Sequence, residues 1–340
     1  MTHILLTATN AVLPIVLIIY LGYWLRQKNL LSPDFLKKGN WLVFHVCLPS
    51  MLFINVYDIE STQSIDWGIV LYCCGATVLL FLLGLITALA ATPVPQRRGV
   101  ILQCVFRSNF AIIGLSLAAA LGGQVAVTIA AVVSAFTIPL FNILGVVSLS
   151  IFLDNQEKQG PKLRSVLLNI LKNPLIISVV LGFVCLGIRR LEILLWGDIV
   201  FTLKGQLAFL YKVLTNLKSI ASPLALIVLG GQFTFSAVKG LFREILVGTV
   251  WRIILAPLIC IGGAILLSRH AGWFHCGPEA FPAMIALFGS PVAVSSAIMA
   301  GSMGNDEQLA TQLVVWTSLL SIGTIFLQVC ILMATGFLII

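Results

Sequence analysis

Charge is what this sequence has least of. Only 9% of its 340 residues are Asp, Glu, Lys or Arg, against about 25% in soluble domains, and the mean hydropathy is +1.08. Such scarcity excludes a water-soluble fold. Acids are rarer than bases, 12 against 20, and every one of them falls in a loop or at the end of an apolar block. The chain also lacks HExxH, GxSxG and paired aspartates within an apolar block, so the usual intramembrane hydrolases have no signature here. None of the eight cysteines forms a CxxC pair. They read as small apolar residues, and no metal site is expected. The alternating period of a barrel strand is missing as well.

What remains is long apolar blocks of roughly 20 residues or more, the length that crosses a ~30 Å hydrocarbon core as a helix. The expectation is an all-α polytopic membrane protein. Ten spans are read, at 5–25, 39–57, 67–91, 99–121, 125–153, 173–189, 207–232, 244–268, 279–301 and 309–337. The first is too long for a signal h-region and has no cleavage site after it, so it reads as a retained helix. The half-apolar stretch Arg190–Leu207 is a candidate interfacial helix.

Bases are spread over short loops, which speaks for topology and against nucleic acid. Arg26, Lys28, Lys37 and Lys38 follow the first span. Arg97 and Arg98 precede the fourth, Lys158, Lys162, Arg164 and Lys172 precede the sixth, and Lys239 and Arg243 precede the eighth. These loops share one side, which the positive-inside rule makes cytoplasmic. Arg189, Arg190 and Lys204 run against the rule, whereas the opposite loop Asp58–Asp66 carries three acids and no base. With an even number of spans, both termini are expected outside a cytoplasmic membrane.

The basic segment 154–172 divides the chain into a first half, 1–153, and a second half, 173–340. Five spans per half gives the halves opposite orientation, the arrangement of inverted-repeat transporters. Pro49 in "CLPSMLF" has a counterpart in Pro223 of "ASPLALIVLGG". The string "SNFAIIGLSLAAALGG" of the fourth span overlays "SPVAVSSAIMAGSMG" of the ninth without gaps, setting Ser108 on Ser290.

Those two spans fail as helices in their middles. The fourth carries Arg107, Ser108 and Asn109 in a row, then Gly114 and Ser116; the ninth carries Gly289, Ser290, Pro291 and, further on, Ser295. Paired interruptions in corresponding spans point to a transporter's binding site, where half-helix N-termini favour anions. Arg107 lies nine residues past Arg98, about 13 Å into the bilayer. Two readings stay open for it: facing an anion in a watery cavity, or snorkelling to the interface. Asn109 reads as substrate-facing. Arg252 of the eighth span reads as snorkelling. His45, Asn142, Gln312 and Thr317 are candidates to line a cavity or to join helices. No intramembrane acid supports proton coupling, and sodium coupling through backbone carbonyls is left open; no bound cofactor is implied.

At these residues the chain resembles the auxin efflux carrier family, whose bacterial members include proposed malonate and malate permeases. The resemblance rests on "CLPSMLF", "SNFAIIGLSLAAALGG", "LKNPLIISVVLGF", "ASPLALIVLGG", "RIILAPLI" and "SPVAVSSAIMAGSMGNDEQLAT", in that order. It implies a ten-helix inverted repeat with spans four and nine broken and crossing near the substrate. It also implies elevator-like movement against a scaffold of spans one, two, six and seven, and pairing into a homodimer. By position, Asn109 falls on a substrate-contacting asparagine and Pro291 on the ninth-span crossover proline. The sequence departs from that pattern where Ser108 and Ser116 replace prolines and where Arg107 appears.

The expected function is therefore a secondary transporter or facilitator of small organic anions, with no enzymatic activity. Substrate contacts would come from Asn109, Ser108, Arg107, Gly114, Ser290, Pro291 and Ser295, and the helix breaks from Ser108, Asn109, Gly289 and Pro291. Sodium-coupled carriage of larger amphipathic acids, and a receptor that binds without transport, are the alternatives.

Overall fold

In the computed structural model, residues 2–58, 66–153, 172–270, 274 and 276–338 are described. Among them, the only β-type pairing is a single isolated bridge; the rest is helix and connecting turn. Seven helices among the described residues are long and apolar enough to cross a membrane, so the chain is an integral membrane protein. The linker at 154–171 and the acidic stretch 59–65 lie outside the described residues.

The helices begin where side chains or prolines satisfy their first turns. After α1 (Thr2–Gln27), Ser32 accepts from Phe35 N at 3.1 Å and opens α2 (Pro33–Tyr57). Asp66 accepts from the amides of Gly68 and Ile69 to start α3 (Trp67–Ala91). Pro95 opens α4 (Pro95–Phe106). The segment α5 (Leu115–Ser150) is two helical stretches joined at a corner, where Gly122 and Gly123 leave the helical conformation. Gly123 sits at φ 62°, a conformation that a side chain would disfavour. That corner separates the fourth and fifth apolar blocks.

Asn173 caps α6 (Pro174–Trp196), which Gly197 ends in the left-handed conformation at φ 78°. Then come α7 (Ala208–Gln232) and α8 (Ala237–His270). A short α9 (Phe281–Met284) runs through a π-helical turn over Ile285–Gly289. After a second break α10 (Val294–Ser302) follows, and Asp306 caps α11 (Glu307–Ala334). The expected interfacial helix over Arg190–Leu207 is not there. The first part simply completes α6, and 197–207 is turn and loop, because Gly197 stops the helix and Glu192 ties down the amides of Val200 and Phe201.

Two pairings organise the packing: α1 lies along α7, and the second half of α2 lies along α6. The first is a backbone-to-backbone contact made possible by glycine. A Cβ on Gly230 would stand 2.0 Å from the Ile19 carbonyl oxygen, and one on Gly22 would stand 2.2 Å from that of Ile227. Small residues at such seams let membrane helices approach where no hydrophobic force drives them together.

Two of the three bases that run against the charge rule, Lys204 and Arg189, acquire partners at the end of α2. Lys204 pairs with Asp58 at 3.1 Å. Arg189 donates to the Tyr57 carbonyl and lies 4.4 Å from the centre of the Tyr57 ring. Asp58 also holds the Lys204 ammonium above its ordinary pKa, through their hydrogen bond. These two exceptions are local pairs rather than free charges.

Candidate functional site: two broken helices and a pocket between them

Both mid-span failures are true breaks. Pro291 has no N–H and forces the residue before it out of the helical region, and Ser290 is extended at ψ 150°. The fourth span has no such proline. Arg107 leaves the helix at φ −90°, ψ 103°, and what holds it there is the other break. Asn109 N donates to Pro291 O at 2.8 Å and Ala293 N to Arg107 O at 3.3 Å, which sets Ser108 opposite Val292 in an antiparallel bridge. The pairing is two residues removed from the ungapped overlay that placed Ser108 on Ser290.

The bridge diverts amides from their helical partners. In a continuous helix Asn109 N would bond Val105 O, and Val292 N would bond Phe288 O. Here Asn109 N is spent on Pro291, and Val292 N donates to Thr317 Oγ1 at 3.1 Å. Arg252 takes both orphaned carbonyls, Nη1 donating to Val105 O at 3.2 Å and Nη2 to Phe288 O. Its side chain is 0% exposed, so the snorkelling read from the sequence is overturned. The negative ends of two half-helices are a better partner for a guanidinium than a distant interface.

Arg107 has a different setting. Nη2 donates to Asn142 Oδ1 at 2.8 Å and to Ser295 Oγ at 3.0 Å, and Nη1 abuts the Met299 sulfur. With its amide oxygen turned to the guanidinium, Gln103 accepts from Nη1 at 3.0 Å and donates to Ser296 O at 3.3 Å. Arg107 is 4% exposed, which removes snorkelling for it too. None of the ion pairs among the described residues involves it. Every side chain that Arg107 touches in this way is neutral.

This guanidinium lines a pocket of about 40 Å³ bounded by both breaks and by α2, α5, α6 and α7. Asn142 and Ser295 line it with Arg107, and so do Ser108 and Asn109. The buried Asn109 Nδ2 and Ser108 Oγ have no hydrogen-bond partner. The start of α10 reaches the same space through Ala293 and Val294, and no side chain caps it. Its first amides and its dipole therefore present partial positive charge to the pocket. The inventory is one cation, unpaired donors and a helix N-terminus, with no acid.

A family model described as membrane transport protein matches residues 7–329. The chain belongs to this family, that of the auxin efflux carriers. No individually curated protein matches it.

In this family member the expected site residues part company. Arg107, Ser108, Asn109, Asn142 and Ser295 come together in the pocket. Ser290 does not line it: its hydroxyl is buried and donates back to Ala286 O. Pro291 contributes its carbonyl to the bridge. Gly289 packs on Gln328 and Gly114 on the Phe110 ring, each tightly enough that a Cβ would collide; the Ser116 side chain lies outside the described set. Thr317 fixes Val292. Gln312 ties α11 to the turn between α7 and α8, donating to Thr234 O at 2.7 Å, and accepts from Trp316 Nε1 on its own helix. His45 is a correction. It is exposed, stacked on Trp41 with Nδ1 3.0 Å from the Trp41 carbonyl oxygen, because its position on α2 faces away from the bundle.

Gln103 went unnoticed in the sequence, although a residue four before Arg107 shares its helix face. It is 1% exposed, and it closes the far side of the guanidinium.

Because Asn109 Nδ2 has no protein partner, Asn109→Ala is expected to leave thermal stability unchanged. If a carboxylate occupies the pocket, the change should weaken its binding by about tenfold, the lower end of a hydrogen bond to a charged group. Ligand-induced thermal shifts on the purified protein measure both. Unchanged affinity would remove Asn109 from the site.

Proposed function

We propose that this carrier is a secondary transporter or facilitator of small organic anions, carboxylates and dicarboxylates of the size of malonate or malate, across the cytoplasmic membrane. One observation carries the reading. The Arg107 guanidinium is buried among neutral groups only, in a pocket that also holds an unpaired amide and an uncapped helix start. A buried charge without a counter-charge is costly, and a bound carboxylate supplies the missing one with geometry suited to a guanidinium fork.

The wider architecture follows the same proposal: ten spans in two inverted halves, 1–153 and 173–340, joined by a cytoplasmic linker, with both termini outside. The pairing of α1 with α7 and of α2 with α6 supports it, since exchanging the halves turns either pair into the other. The pocket's position between α2, α6 and α7 on one side and the crossed breaks on the other suits elevator-type movement of the crossing bundle, in a protein that pairs as a homodimer.

The test is uptake and efflux in proteoliposomes over a panel of mono- and dicarboxylates and neutral analogues. Carboxylates are expected to move and neutral analogues not. Movement of a neutral or cationic solute instead would overturn the reading, and saturable binding without flux would make the protein a receptor.

A further inference from the structure

Arg252 is not part of the pocket, and the transport reading gives it no task. Yet it is the larger anomaly, a fully buried arginine with no acid paired to it among the described residues. Its two bonds go to Val105 O and Phe288 O. Each carbonyl belongs to the last turn before a break, and each has lost its own amide, to Pro291 O in one case and to Thr317 Oγ1 in the other. Converging carbonyls at the C-terminal ends of broken helices carry partial negative charge. Elsewhere in transporter architecture such ends hold an exchangeable coupling cation.

We propose that Arg252 is a tethered cation in this role: it occupies the carbonyl pair that would otherwise bind an alkali ion, and it holds the crossing together without one. The two halves of the crossing thereby divide the work. The N-terminal side, with Arg107, faces an anion. The C-terminal side is neutralised permanently by a charge that cannot dissociate, since arginine stays protonated at any physiological pH. No ion has to arrive or leave for the breaks to keep their geometry, so neither stability nor flux should depend on sodium. The flux half of this inference rests on the proposed function, whereas the stability half stands without it.

The experiment uses the full chain in detergent and in proteoliposomes. For the wild type, replacing NaCl by KCl or N-methylglucamine chloride at equal ionic strength is expected to leave Tm unchanged and to leave carboxylate flux within experimental error. A Tm or flux that rises with sodium would overturn the proposal. Arg252→Ala is expected to lower Tm markedly, and millimolar guanidinium chloride should restore part of the loss where tetramethylammonium chloride does not. If Arg252→Ala yields no folded protein, Arg252→Lys and Arg252→Met decide. Lysine should retain intermediate stability, because an ammonium keeps the charge but lacks the planar fork that spans two carbonyls, and methionine should fall below it. Methionine at wild-type Tm would overturn the assignment. Failure of every carboxylate to move, with the Tm series as expected, would defeat the transport reading and leave Arg252 in place.

Discussion

Arg107→Gln is expected to cut carboxylate uptake by roughly tenfold to a hundredfold while the protein folds normally. The loss corresponds to ~1.5–3 kcal/mol, the worth of a hydrogen bond to a charged group. Folding should survive because Arg107 gives up only neutral partners, Asn142 Oδ1, Ser295 Oγ and Gln103. A neutral amide can bond some of these without the cost of burying a charge. Arg107→Lys should retain part of the activity, since an ammonium attracts an anion but cannot reproduce the fork. The deficit should be greater for dicarboxylates than for monocarboxylates. Initial rates in proteoliposomes, with Tm recorded on the same preparations, measure both properties. A fall in Tm with normal uptake by the folded fraction would return Arg107 to a structural role.

Gly230→Val is expected to destabilise the protein by about 3 kcal/mol or more, above the usual range for overpacking. The usual range reflects side chains that can move aside. At Gly230 the added carbon meets backbone on the other helix, 2.0 Å from Ile19 O and 3.0 Å from Tyr23 N. Relief requires α1 to separate from α7, which undoes the reciprocal contact at Gly22. The measurement is Tm and monodispersity in detergent. A wild-type Tm would mean that the two helices do not meet backbone to backbone. A companion change at Gly240, where a new Cβ meets nothing within 4 Å, should be silent.

Much of the fold was legible because a bilayer imposes simple rules. Apolar blocks of spanning length are local signals, and the gap between the blocks 99–121 and 125–153 falls on the corner at Gly122–Gly123. The second break is a local signal too, where Pro291 removes a donor and constrains Ser290. The first break was legible only as a run of polar residues. Nothing between Arg107 and Asn109 forbids a helix as proline does, and the extended conformation is held by amides and carbonyls of a segment some 180 residues away in the chain. His45 misled for a related reason: polarity in an apolar helix does not say which way the residue faces, and its face is outward.

The sequence by itself determined that this is a helical membrane protein, which family it resembles and where its helices weaken, because chain length, hydropathy and proline chemistry act on each residue locally. Tertiary structure alone decided what the two mid-span arginines do. As sequence, Arg107 and Arg252 are alike, each a cation in an apolar block with no acid to match. Packing puts one against neutral side chains at the start of α10 and the other against two helix carbonyls left over by the bridge. A charge takes its role from the partial charges that surround it, and here those are assembled from both halves of the chain.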